Sequence, residues 1–175
     1  MIDQLQGVRI ENYGVRWEQM PDDFRLVDRF AHEDWDRIVH GISTEPEWRA
    51  FVDRYKSIGG CFLLFIKEKT APVGFVWVVY DNYRRRSVMI HGGSWLAGRI
   101  SSTWLCRGML CLAEHLLAAG FRVHSQCRRD NARSFRFLRG LGFVPFEKDT
   151  EYTKLYIDRR RIARSAVCQR LKASL

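Results

Sequence analysis

Between Cys61 and Trp95 the chain passes through three apolar segments with very little between them: Cys61 to Lys67, Val73 to Tyr80 and Ser87 to Trp95. Each is rich in Val, Ile, Phe, Trp and Tyr and has the length of one strand. The first gap contains Thr70-Ala71-Pro72 and the second runs from Asp81 to Arg86. Such connections are too short for the dozen or so residues that a parallel crossover needs, so the three strands are expected to pair as an antiparallel meander. Any fold for this chain has to be built around that sheet.

The flanking elements follow from periodicity and punctuation. Val8 to Ile10 and Val15 to Met20 are short extended segments about a turn at Asn12 to Gly14, and Phe24, Val27, Phe30 and Ile38 give a helical pattern over 21–40. Pro46 opens a second helix with an apolar stripe of Trp48, Phe51, Val52 and Tyr55, stopped by Gly59-Gly60. Ser101 to Ala119 is free of proline and carries Trp104, Leu105, Met109, Leu112 and Leu116 at helical spacing up to Gly120. A strand at Phe121 to Cys127, a helix at Asn131 to Leu141 ended by Gly142, and paired strands at Phe143 to Phe146 and Tyr152 to Ile157 complete the order. The segment after Asp158 reads as a basic helix or tail. The expected architecture is an α/β (α+β) fold: a mixed, mostly antiparallel sheet with helices on both faces, residues 1–157 forming one domain and 158–175 the basic extension. A binding cleft is expected where neighbouring strands diverge.

Composition narrows the function classes. The 175 residues suit a single domain, and 46% hydrophobic residues are enough to build a core. No run approaches the roughly 18 to 20 apolar residues of a membrane helix, and the first residues lack an apolar signal core, so a cytoplasmic location away from membranes is expected. The five cysteines, at positions 61, 106, 111, 127 and 168, include no Cys-x-x-Cys pair and are read as buried thiols, with no metal implied. Charge is uneven: residues 121–175 hold 14 basic and 5 acidic residues, which is the whole of the net +9. A polyphosphate ligand or a nucleic-acid backbone would answer that excess, and a solvated basic face would need neither.

The 13 residues from Asn131 to Phe143 run Asn-Ala-Arg-Ser-Phe-Arg-Phe-Leu-Arg-Gly-Leu-Gly-Phe. Physically, Asn131 can cap a helix that Gly142 ends before Phe143 resumes a buried strand. The pattern resembles the C-terminal motif of the GNAT superfamily of acyl-CoA-dependent N-acyltransferases. Ser134 and Leu138 are most similar to the branch that acetylates N-terminal amines of ribosomal proteins, and Leu138 stands where other branches carry a Tyr as general acid. The resemblance implies acetyl-CoA as co-substrate and a primary amine as acceptor, either a small molecule or a protein N-terminus, in a monomer or homodimer. It departs at the pyrophosphate loop, where Trp95-Leu96-Ala97-Gly98-Arg99-Ile100-Ser101-Ser102 fits neither register of the family's glycine pattern.

The site residues that the resemblance implies follow from these segments. Ala97, Gly98, Ser101 and Ser102 would meet the pyrophosphate at a helix start, with Arg99 as an added cation. Asn131, Ser134 and Phe137 would hold the pantetheine arm, and backbone amides near Gly93 and Trp95 the thioester carbonyl. Arg133, Arg136 and Arg139 recur every three residues and could meet coenzyme phosphates. His91 is the leading general base and Glu45 the second, while Cys61 and Cys127 are assigned no catalytic role. Two alternatives remain: a GNAT-like module that has lost catalysis and acts in an assembly, and a nucleic-acid-associated protein using Arg159-Arg160-Arg161, Arg164, Arg170 and Lys172.

Overall fold

A computed structural model describes residues 9–22, 25, 42–58, 60–67, 72–82, 84–94 and 101–174. Within these, eight strands form one sheet in the order β1-β2-β3-β4-β5-β6-β8-β7. They are β1 (Arg9–Asn12), β2 (Val15–Gln19), β3 (Cys61–Lys67), β4 (Pro72–Asn82), β5 (Ser87–Ser94), β6 (Arg122–Arg128), β7 (Val144–Lys148) and β8 (Tyr152–Ile157). Every neighbouring pair is antiparallel except β5 and β6, which run parallel. Among the described residues five helices accompany the sheet: α1 (Glu45–Ser57), α2 (Ser102–Ala118), α3 (Ala132–Gly140), α4 (Arg159–Arg164) and α5 (Ala166–Ala173). The meander of β3, β4 and β5 is the one expected from the sequence. The helical pattern at 21–40 lies outside the described residues, apart from a few isolated positions.

Residues alternate between the two faces of the central strands, and both faces are covered. Phe62, Leu64, Phe75, Trp77, Val79 and Met89 pack with Trp48 under α1. Leu63, Phe65, Val76, Val78, Val88 and Ile90 pack on the opposite face with Leu110, Leu112 and Leu116 of α2. This double burial explains the near-continuous apolar runs. α2 lies close against the sheet because Gly108 has no side chain there: an added Cβ would stand 2.7 Å from the Phe65 ring. The indole of Trp17 donates to the Gly108 carbonyl at 2.8 Å across the same contact.

The C-terminal segment is integral to this second layer. Ile162 of α4 and Cys168 and Leu171 of α5 are buried in the same cluster as α2. Ser165 separates the two helices, ending α4 and capping α5 through its hydroxyl, which accepts from the Cys168 amide. The arginines of the basic extension are therefore carried on ordered helices packed against the domain.

Candidate active site

The parallel pair β5–β6 is where the sheet comes apart. Its register runs from Ser87↔Arg122 to Ile90↔Ser125 and stops, while β5 continues to Ser94 beside β4 and β6 continues to Arg128 beside β8. The Ser125 hydroxyl donates to the Ile90 carbonyl at 3.0 Å and closes the last rung. Past that point half of the β5 peptide groups face an opening instead of a partner strand, and unpaired peptide groups invite a ligand. Gly92 keeps β5 close against β4 past that point. A Cβ there would stand 2.5 Å from the Phe75 carbonyl oxygen and 2.6 Å from a Val76 methyl.

A cleft of about 950 Å³ occupies the opening. Alternation along the strands divides its walls. On the α2 and α3 side lie Ile90, Ser125, Cys127, Leu105, Met109, Asn131, Arg133, Ser134 and Phe137; on the α1 side lie Phe51, Arg54, Tyr55, Phe75, Trp77, His91, Gln126, Arg128 and Tyr152. The cleft is thus a passage through the sheet, able to receive one ligand from each face and bring them together between β5 and β6.

On the α3 side, the Asn131 side-chain carbonyl accepts from the Ser134 amide at 2.9 Å and caps the helix, as its position in the sequence suggested. Ser101 is the N-cap residue of α2 but makes no side-chain cap bond, and the first turn holds no acidic residue. That leaves amides and the positive end of the helix dipole available to an anion. Ser102 is the first residue of α2, and Gly93 lies on β5 opposite Phe75, beyond the last β5–β6 rung. Trp95, Ala97, Gly98 and Arg99 lie outside the described residues. Among the three arginines of α3, Arg133 lines the cleft, Arg136 is exposed elsewhere, and Arg139 donates to the Phe143 carbonyl at 3.2 Å. Leu138 is buried in the core.

On the α1 side, His91 lines the cleft directly opposite Trp77 in the β4–β5 register. The two rings stack with centroids 4.9 Å apart and planes 10° from parallel. Loss of hydration among these rings lowers the imidazole pKa to about 4, so His91 is neutral at neutral pH. Glu45 is absent from the cleft lining; its carboxylate is held by Arg25 at 3.1 Å and Arg49 at 2.8 Å. Glu47 does line the cleft, but it is committed to a capping box. It accepts from the Ser43 and Thr44 amides at 2.8 Å each, and these bonds hold its carboxyl below the usual range.

Cys127 also lines the cleft, with a thiol pKa raised by burial, and Cys61 is pushed up to about 11 for the same reason. Neither has the lowered pKa of a nucleophile. The sequence reading did not single out Arg54, Trp77, Gln126, Arg128 or Tyr152 as site residues. For the last three, the only signal is strand alternation combined with the insertion of β8 between β6 and β7.

No protein-family model and no curated protein matches this chain. Solved structures do. A GCN5-related N-acetyltransferase from Brucella melitensis superposes with TM-score 0.72 at 15% identity, over 95% of this chain and 85% of that one. The ribosomal L7/L12 α-N-protein acetyltransferase RimL gives TM-score 0.67 at 12% identity, over 85% and 92% of the two chains. RimJ of Mycobacterium smegmatis, solved with CoA-disulfide, gives 0.62 at 14% identity, over 91% and 88%. The chain has the fold of the GNAT acetyltransferases, the fold expected from the sequence.

Proposed function

We propose that the protein is an N-acetyltransferase that moves an acetyl group from acetyl-CoA to a primary amine within a ternary complex. The passage through the sheet carries this reading. It gives donor and acceptor separate faces and one meeting point, which is what direct transfer needs. The α2–α3 side suits the donor: the uncapped start of α2 and Arg133 offer positive potential to phosphates, and Phe137, Leu105 and Met109 give an apolar wall. The family likeness adds that Ala97, Gly98 and Arg99 would complete the phosphate site and that amides near Gly93 and Trp95 would polarise the carbonyl.

In the reaction the amine nitrogen bonds to the thioester carbon, the carbon–sulfur bond breaks, and the proton lost by nitrogen is replaced on sulfur. The chain's own contribution begins before attack. Aromatic walls on the α1 side disfavour the ammonium form of a buried amine. Neutral His91 then accepts the proton from nitrogen as it is acylated, when that proton is most acidic. Glu45, tied to two arginines, is the weaker alternative. Release of free thiol from acetyl-CoA in the presence of an amine panel tests the reading. Turnover with at least one amine is expected, and acetyl-CoA binding without any turnover would favour a catalytically silent module.

One observation favours a second activity, nucleic-acid contact. Arg139, Arg160, Arg161 and Arg164 share a separate hollow of about 480 Å³, with Asp158 the one acidic member among the described residues. Affinity for a random duplex that falls steeply with salt would support it, and salt-insensitive or absent binding would end it.

A further inference from the structure

The α1 side of the cleft has a definite chemical character, and it bears on which amine is acetylated. The floor is aromatic. Trp77 stacks on His91 and on Phe75, with centroids 5.6 Å apart for the latter pair, and Phe51 of α1 meets Trp77 edge-on at 5.1 Å. Surfaces of this kind pack best against a flat or bulky apolar body.

Charge is the second feature. Among the described residues lining the cleft, Glu47 is the one carboxylate and it is used by the α1 cap, while the lining residue Arg128 is paired with Asp130 at 2.7 Å. Arg54 stands at the rim, exposed, lining the cleft, and without an acidic partner among the described residues. A polyamine or other dibasic acceptor would find no counter-ion for its second charge, whereas an anionic group would find one. The third feature is an unused donor: Trp77 is 5% exposed, and its indole Nε1 is buried with no acceptor among the described residues. A buried donor without a partner is costly, and a ligand oxygen would relieve it.

We propose that the acceptor is a primary amine bearing an aromatic body and a carboxylate, the pattern of an aromatic α-amino acid, with Arg54 as counter-ion and the aromatic floor at Trp77 as its packing surface. This rests on the acetyltransferase reading above and narrows it. No covalent chemistry is added; Arg54 and Trp77 only select which amine reaches His91.

The test compares phenylalanine, phenethylamine and spermidine at saturating acetyl-CoA, following thiol release, with acetyl-CoA binding measured separately by calorimetry. The expected order of kcat/KM is phenylalanine, then phenethylamine, then spermidine. In Arg54→Gln the phenylalanine-to-phenethylamine ratio should fall about 10-fold or more, as the loss of a charge-assisted contact implies. In Trp77→Phe, which keeps an aromatic surface, though a smaller one, and removes the donor, kcat/KM for phenylalanine should fall several-fold. Spermidine as the best substrate, equal rates for the two aromatic amines, or an unchanged ratio in Arg54→Gln would overturn the proposal while leaving an acetyltransferase in place. Absence of acetyl-CoA binding would overturn both.

Discussion

His91, the proposed general base, has surroundings that would make it a weak one. With the imidazole lowered to about 4, it stays neutral throughout the range in which the enzyme would be assayed. Loss of rate between pH 8 and 5 should therefore follow protonation of the amine, and the limb should move when an amine of different pKa is used. A limb fixed near 6.5 for every amine, abolished in His91→Gln, would show an ordinary histidine instead. His91→Ala should lower turnover about 100-fold or more with acetyl-CoA affinity nearly unchanged, because the ring lines the α1 side, which is proposed to receive the acceptor. Stability should respond to pH with a definite sign. A histidine depressed from 6.5 to about 4 binds its proton more readily when unfolded, so its contribution is complete above 6.5 and is lost as pH falls through 4. His115 and His124, also lowered by burial, act in the same direction. Melting temperature should fall more steeply from pH 6.5 to 4 in the wild type than in His91→Gln. Parallel curves would mean that His91 titrates alike in both states.

Among the elements, β5 decides the site. Its first half is ordinary sheet and its second half forms the edge of the opening, and Gly92 lies just beyond the change. Gly92→Ala should cost about 1 to 3 kcal/mol, because the contact it creates is with strand backbone that cannot move aside. Acetyl-CoA affinity should fall with it. A variant with unchanged melting and binding would show that β5 pairs with β4 beside the opening without needing this glycine. The meander itself was readable from sequence, since three apolar runs with short gaps leave few alternatives. α1 was readable too, from Pro46 and its apolar stripe. The choice of carboxylate at its start was not. Glu45 and Glu47 are both acidic residues of the first turn, and only the capping box at Thr44 shows that Glu47 faces the cleft and Glu45 the arginines. The stacked pair of Trp77 and His91 depends on the β4–β5 register, fixed by a turn whose bulge between Tyr80 and Asn82 leaves no sequence trace.

At the scale of the whole molecule, the sheet separates two chemistries: helix N-termini and basic residues on the α2–α3 face, aromatic rings on the α1 face, and one passage between them. The decisive measurement is a calorimetric titration of acetyl-CoA into the wild type and into Ser134→Trp, which fills the α3 wall of the cleft without burying a charge. Saturable one-to-one binding is expected for the wild type, with a melting shift equivalent to about 2.7 kcal/mol when ligand reaches about 100 times Kd. Ser134→Trp should keep its fold and lose at least about 10-fold in affinity. No binding at millimolar acetyl-CoA, or equal affinity in the two proteins, would contradict the assignment of this passage as the site of acetyl transfer.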